Sequence, residues 1–405
     1  MKIKKNILLL SGLVLSVFTS AGQQTYRISG QLPGIPDGAK VYLGDLFDQG
    51  AGMLDSAVTK DGVFTMTGKA RWETARLCNL RIDPQPGDIK KSKLVPLFMG
   101  NETVHIAASH IDSVPGYYFP GGSMKYVQIT GAAEQTLYKT FETANKQLSD
   151  RITVLSGQYE HTYEIPARGG IFNTAKGMAL ARDITAAQQA LGARKRAFVR
   201  EHPQTVVAAY FVYELLLSAN SKYTISEIDA IAGSLDTAAL ATSALLKAIR
   251  LVAANEKIIA KGVRFTDIPL IDPQGQPVQL ARYVKPGQYN MLEFWASWCG
   301  PCRAEIPHLR YLNKVISEKD FHIISISMDE KKTDWDKAMV EEKMVWTQLC
   351  DNKGFKGPVT GHYKVRAIPF SIVLDKQGKI VASKARGAEL DAVLKDLLGE
   401  RISAF

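Results

Sequence analysis

Three regimes of hydrophobic patterning follow one another along the chain, behind a short apolar leader. In the leader, residues 7–18 are almost wholly apolar, with Lys2, Lys4 and Lys5 before them and Thr19-Ser20-Ala21 after them. A basic head, a short apolar run and a small-residue site predict a cleavable secretory signal over residues 1–21. The run falls short of the roughly 20 apolar residues that a spanning helix needs. No cysteine lies near the cleavage site, so no lipid anchor is expected.

Residues 22–130 read as strands and turns. Tyr26-Arg27-Ile28-Ser29 alternates apolar with polar, and Val63-Phe64-Thr65-Met66 does so in part. Turn signals separate such runs: Pro33-Gly34, Pro36-Asp37-Gly38, Asp61-Gly62 and Pro84-Gln85-Pro86-Gly87-Asp88. Short strands at this spacing predict an antiparallel β domain, a small sandwich or barrel. His105 and His110 bracket a strand end, but no third ligand stands at metal spacing.

Residues 131–258 change period. Leu137, Phe141 and Leu148 recur at helical intervals, and Pro203 is placed to start a helix where its missing N–H costs nothing. The run 206–217 is apolar nearly all round and predicts a buried core helix. Tyr210, Phe211 and Tyr213 within it read as packing.

Residues 259–405 alternate strand with helix. Strand-like runs at 290–295 and 321–328 are each followed by a helical stretch, and 370–374 and 379–383 flank the turn Asp375-Lys376-Gln377-Gly378. An amphipathic helix over 388–399 closes the pattern. A mixed central sheet covered on both faces is expected. The whole chain is therefore multidomain: an N-terminal antiparallel β domain, a middle α-helical region and a C-terminal α/β domain.

Composition adds limits. With 405 residues, 46% hydrophobic and 22% charged, the chain can bury several cores and is no polytopic membrane protein. Its net charge is +10, and loss of the three leader lysines would bring it to +7. The densest basic cluster, Arg194, Lys195, Arg196 and Arg200, lacks aromatic interleaving and reads as a solvated helix face. No nucleic-acid partner is expected.

The legible chemistry is Trp298-Cys299-Gly300-Pro301-Cys302, where a strand runs into a helix. Cysteines three positions apart bring two sulfurs within disulfide reach. At a helix N-terminus the first thiol is favoured as thiolate, its pKa falling from about 8.5 towards neutrality. Cys299 would then attack a substrate disulfide and Cys302 would resolve the mixed disulfide. Zinc would want a second Cys or Cys/His pair, and Cys78 and Cys350 are isolated and lack that spacing. A c-type haem would need His where Arg303 stands. A purely structural disulfide would close too short a loop to constrain the unfolded chain much. The dithiol carries the electrons itself, so no cofactor and no metal are expected.

The C-terminal region resembles a thioredoxin-fold domain of the TlpA/ResA type, the periplasmic thiol–disulfide oxidoreductases, over roughly residues 260–403. Leu292-Glu293-Phe294-Trp295-Ala296-Ser297-Trp298-Cys299-Gly300-Pro301-Cys302 is similar to the thioredoxin active-site strand and turn. The resemblance implies a redox disulfide between Cys299 and Cys302. It makes Glu293 the buried carboxylate that relays the proton of the resolving cysteine, and places Pro307 at a helix kink. Glu305 matches an acid that cytochrome-maturation members keep beside the active site. Ala367-Ile368-Pro369 matches the cis-proline loop that faces the cysteines and pairs with substrate backbone, although Phe370 stands where Thr commonly follows. The charged segment 329–343 resembles the insertion that separates these proteins from minimal thioredoxin. Trp298 reads as groove wall and Trp295 as core. With Asp55-Ser56-Ala57, Asp61-Gly62-Val63-Phe64 and Gly68, the first region resembles the β-rich domain that precedes thioredoxin domains in many exported bacterial proteins.

The implied function is an exported, periplasmic oxidoreductase acting on protein disulfides or thiols, as a reductant, for example in cytochrome c maturation or envelope disulfide reduction. A reductant in an oxidising compartment must be recharged, so an electron-donating membrane thiol transporter is an expected partner. After signal removal the chain is not expected to span the membrane. Two other readings stand beside this one: a thiol peroxidase of the peroxiredoxin type, whose Thr-x-x-Cys pattern would put Thr at Cys299, and a binding module of residues 22–258 with an auxiliary redox domain.

Overall fold

A computed structural model describes residues 25–402, apart from 49, 51, 70–71, 86, 119–121 and 219–221. The expected signal over 1–21 lies outside the described residues.

The first region forms two four-stranded sheets. One has the order β4 (Val63–Lys69), β1 (Thr25–Gln31), β7 (Thr103–Ala108), β8 (Val127–Thr130). The other runs β3 (Met53–Val58), β2 (Lys40–Asp45), β5 (Arg76–Asp83), β6 (Lys93–Met99). Strand alternation turns Tyr26 and Ile28 of β1 towards Val41 and Leu43 of β2, and one apolar core fills the space between the sheets. The antiparallel expectation is corrected at one seam. β1 and β7 pair in parallel, from Arg27 opposite Thr103 to Gln31 opposite Ala107. Between these strands the chain crosses into the second sheet and back, and so long a crossover can bring it home in the same direction.

The middle region is helical: α1 (Ala133–Ala144), α2 (Lys146–Tyr159), α3 (Ile165–Arg168), α4 (Thr174–Glu201), α5 (Val206–Leu217), α6 (Ile225–Ala232) and α7 (Ala244–Ile258). A single π-helical turn, Glu160–Glu164, joins α2 to α3. α5 begins three residues beyond Pro203, because the Thr205 hydroxyl accepts the Ala208 N–H as its cap. Its apolar surface packs with Leu77 and Phe98, side chains on the outer face of the second sheet. Gln135 fixes this seam by accepting the Phe98 N–H at 2.9 Å. The helices therefore roof the sandwich rather than stand apart from it.

The last region has a seven-stranded mixed sheet. Its order is β10 (Pro277–Gln279), β9 (Pro269–Ile271), β13 (Thr347–Cys350), β12 (Phe321–Ser327), β11 (Tyr289–Trp295), β14 (Phe370–Leu374), β15 (Ile380–Ser383). β11, β12 and β13 are parallel, and β14 and β15 form the expected hairpin. One sheet face is covered by α8 (Gly300–Val315), with α9 (Lys332–Glu341) and α11 (Gly387–Leu398) contributing to the same core. The other face holds a second apolar core that includes residues of α10 (Pro358–Tyr363). Among the described residues no helix is long and apolar enough to cross a membrane.

Candidate active site

β11 is buried along its length because neighbours flank it on both sides, and at its end the chain turns sharply into α8. The turn is pinned by the first residue of the charged 329–343 segment. Asp329 accepts the Ser297 N–H at 2.9 Å, the Ser297 hydroxyl at 2.6 Å and the Ser327 hydroxyl at 2.6 Å, and is 1% exposed. A buried carboxylate with three donors is well compensated, so it fixes the backbone just ahead of Trp298.

Cys299 caps α8 with extended backbone, and its sulfur accepts the Cys302 N–H at 3.2 Å. Cys299 and Cys302 are joined in a disulfide, with Cα atoms 5.2 Å apart. Pro301 occupies the first turn, where no N–H is needed. Cys302 is fully buried and Cys299 nearly so, at 5% exposure, leaving Cys299 as the sulfur nearer solvent. Beside it Trp298 is 60% exposed, its ring 6.2 Å from the exposed ring of Phe355. Trp295, by contrast, lies wholly in the core. The Ile368–Pro369 peptide bond is cis, and Ile368 packs on the cluster that contains both cysteines. Phe370 opens β14 opposite Phe294.

Strand alternation decides which face Glu293 takes. Its neighbours Leu292 and Phe294 belong to the far core, whereas Met291 and Trp295 share the cysteines' core, so Glu293 points under α8. Register puts Ser325 on one side of it and Ser371 on the other, with Gln348 beyond Ser325. A polar row thus crosses an apolar core. The Ser325 hydroxyl hydrogen-bonds to the Glu293 carboxyl and also accepts the Trp346 indole N–H at 2.9 Å. One Glu293 oxygen, Oε2, has no hydrogen-bond partner. Burial dominates its ionisation and pushes the pKa up to about 8; Ser325 pulls it down and the Glu305 charge adds to the rise. Near neutral pH this carboxyl is poised to take or give a proton.

Glu305, on α8, keeps only 11% of its side chain exposed. It accepts the Gly387 N–H at 3.2 Å and pairs with Arg386 at 2.9 Å. Burial raises its pKa, while Arg386 and His308 oppose the rise. Pro307 lies inside α8 two residues further on. His308 and Asp391, 2.7 Å apart and both buried, complete the polar surroundings. Neither stood out in the sequence, because they are 83 residues apart and no spacing links them. Cys78 and Cys350 are buried free thiols far along the chain from the disulfide.

The sequence comparisons agree with this chemistry. The AhpC/TSA family model matches residues 262–383. The chain is 30% identical over 144 residues to the thiol-disulfide oxidoreductase ResA of Bacillus thuringiensis subsp. konkukian strain 97-27, covering 36% of this chain and 80% of that one. It belongs to the ResA-type thiol–disulfide oxidoreductases. ResA of Bacillus anthracis is 30% identical over 128 residues, 32% of this chain and 71% of that protein. A solved thioredoxin domain of a thiol-disulfide oxidoreductase from Bacteroides vulgatus is 34% identical and covers 34% of this chain and 98% of its own, with a TM-score of 0.32. A domain of unknown function, DUF4369, matches residues 26–138, which takes in the sandwich and the first turns of α1. This oxidoreductase thus carries its chemistry in the last third of the chain, behind the DUF4369 sandwich and its helical roof.

Proposed function

We propose that this oxidoreductase is exported to the periplasm after removal of residues 1–21 and reduces protein disulfides there. The observation that carries the proposal is the cysteine pair at the N-terminus of α8 with Glu293 buried behind it. In the reduced protein the Cys299 thiolate attacks one sulfur of a substrate disulfide. A bond forms from Cys299 to that sulfur, and the other substrate sulfur leaves as a thiolate and takes up a proton. Cys302 then gives its proton to Glu293 and attacks Cys299. The second substrate thiol is released, and the protein is left with the Cys299–Cys302 disulfide. Two electrons have passed to the substrate. Glu305 tunes the charge near Glu293, while Trp298, Ile368 and Pro369 form the groove that receives the substrate chain.

The Gly-Pro dipeptide between the cysteines favours the reducing direction, since thioredoxin, with the same pair, works near about −270 mV. Oxidised protein must be recharged by a dithiol donor, and a membrane thiol transporter fits an exported reductant. Residues 22–130 and 131–258 serve as accessory units that select or hold the substrate, apocytochrome c and misoxidised envelope proteins being candidate classes. Equilibration of the pure protein with glutathione buffers tests the direction. A potential below about −230 mV supports a reductant, and one near −120 mV, that of DsbA, overturns it.

The AhpC/TSA match gives the peroxidase reading its specific support. Rapid peroxide consumption by Cys299→Thr, with none by Cys302→Ser, would favour that reading. Dependence of turnover on both cysteines favours disulfide exchange.

A further inference from the structure

A buried polar chain leaves the catalytic domain and ends on the helical roof. Behind α8, His308 Nε2 lies 2.7 Å from Asp391 Oδ1, and the Tyr163 hydroxyl donates to Asp391 Oδ2 at 3.2 Å. Tyr163, His308 and Asp391 are 2%, 3% and 0% exposed. Tyr163 belongs to the π-helical turn of the middle region, 228 residues from Asp391 in sequence.

The contact is built for close approach. Gly177 of α4 lies so near that a Cβ there would come within 2.4 Å of the Tyr163 ring and 2.7 Å of Ala388. Tyr159 accepts the Ala388 N–H at 3.1 Å, which satisfies a first-turn donor of α11. Phe172 packs on the His308 ring at 5.4 Å and stacks on Tyr311 at 5.1 Å. The middle helices therefore seal the back of the active-site helix with three aromatic side chains, and one of them reaches a charged group.

We propose that Tyr163, Asp391 and His308 are positioning residues for the thiol–disulfide reaction, through which the middle helical region sets the charge felt by Glu305 and Glu293. The proposal rests on the reading of Glu293 as the proton acceptor of Cys302. Asp391 fixes the His308 ring one turn beyond Glu305 on the same helix. Glu305 in turn acts on Glu293, and its ionisation is eased by His308 and opposed by Asp391. The other titratable groups around the pair are Tyr159 and Glu164 from the middle region, Tyr311 on α8, and Arg386 and Glu389 at the start of α11. Without the phenol the Asp391 carboxylate loses a hydrogen-bond donor, so more of its negative charge acts on Glu305. Both glutamates then hold their protons to higher pH.

The measurement is the dithiol–disulfide potential of the full chain from pH 5 to pH 9, with near-ultraviolet circular dichroism as the check on folding. The plot breaks at the pKa values of the thiols and of the glutamates coupled to them, and the break followed is the one that Glu293→Gln removes. Tyr163→Phe keeps the ring and removes only the hydroxyl; it is expected to move that break to higher pH by a two- to fivefold change in proton concentration, as about half a pH unit implies. His308→Gln is expected to move it the same way and further. Tyr138→Phe, a roof tyrosine packed on Phe98 and Tyr210, is expected to leave it unmoved. A break unmoved by Tyr163→Phe overturns the inference, whether or not His308→Gln moves it, because the helical region is then uncoupled. Movement in Tyr138→Phe also overturns it, since general packing would explain the shift. If Glu293→Gln removes no break from the plot, the reading of Glu293 itself is overturned, and the inference falls with it.

Discussion

The sandwich buries one isolated thiol, whereas the thioredoxin-like domain buries another such thiol and, at a helix N-terminus, a bonded cysteine pair. Cys78, on β5, has no exposed surface and sits in an apolar core near the Asp45 charge. Burial pushes its thiol up to about 12. Cys350, on β13, is raised to about 11 for the same reason. Cys299 is almost as buried, yet it stands at a helix N-terminus with a backbone N–H directed at its sulfur. Cys350 also accepts a backbone N–H, from Asn352 at 3.3 Å, so what sets Cys299 apart is its place at the N-terminus of α8, where the helix dipole favours the thiolate. The two cores differ in the same sense. The sandwich core is built mainly from apolar side chains, whereas the sheet under α8 carries Glu293, Ser325, Ser371 and Gln348 across four adjacent strands. Glu293 Oε2 and both polar atoms of the Gln348 amide are buried with no hydrogen-bond partner.

The sharpest way to break this contrast is to remove one thiol from each core. Cys299→Ser is expected to lower turnover in an insulin-reduction assay by about 10³-fold or more, with thermal stability of the reduced chain little changed. Cys78→Ala is expected to do the reverse, leaving turnover intact and costing about 1–3 kcal/mol in denaturant unfolding through the cavity it opens.

Glu293→Gln should slow resolution of the mixed disulfide by about 10²-fold near neutral pH, seen as a persistent adduct in single-turnover experiments. The same change should alter stability with a definite sign. The folded carboxyl has a raised pKa, about 8 against 4.5, so between these values the native state holds a proton that the unfolded chain has lost. Stability of the parent therefore falls as pH rises from about 4.5 to about 8, by roughly 2–4 kcal/mol, and Glu293→Gln should flatten that fall. An unchanged pH dependence in unfolding titrations would count against the buried acid. The smallest effect is expected at Trp298, whose exposed ring supports no core. Trp298→Ala should raise KM for a protein disulfide by about three- to tenfold and leave stability within about 0.5 kcal/mol.

Local signals were the readable ones. Cys299-Gly300-Pro301-Cys302, the strand before it and the helix after it lie within a few turns of chain, and the resemblance of that strand to the thioredoxin one implied a buried carboxylate at Glu293. The hairpin at 370–383 was equally plain, since its turn residues stand between its strands. What escaped was non-local. Asp329 reaches Ser297 across 32 residues, and its role depends on β11 and β12 ending side by side. His308, Asp391 and Tyr163 meet only after α11 and the π-helical turn have packed on α8. The parallel pairing of β1 with β7 has no sequence mark either, because strand direction is set by the path through the second sheet. The middle helices showed a period but not a partner: the apolar run of α5 signalled burial without saying that Leu77 and Phe98 of the sandwich would cover it.

The central claim is that Cys299 alone opens the exchange and Cys302 closes it. It is tested most directly by mixing reduced Cys302→Ala protein with an equimolar peptide disulfide and mapping the adduct by mass spectrometry. The expected result is one peptide per chain, bonded to Cys299, with Cys78 and Cys350 unmodified, while the parent chain releases two peptide thiols and regains the Cys299–Cys302 disulfide. An adduct on Cys78 or Cys350, or release of both peptide thiols without Cys302, would contradict the account.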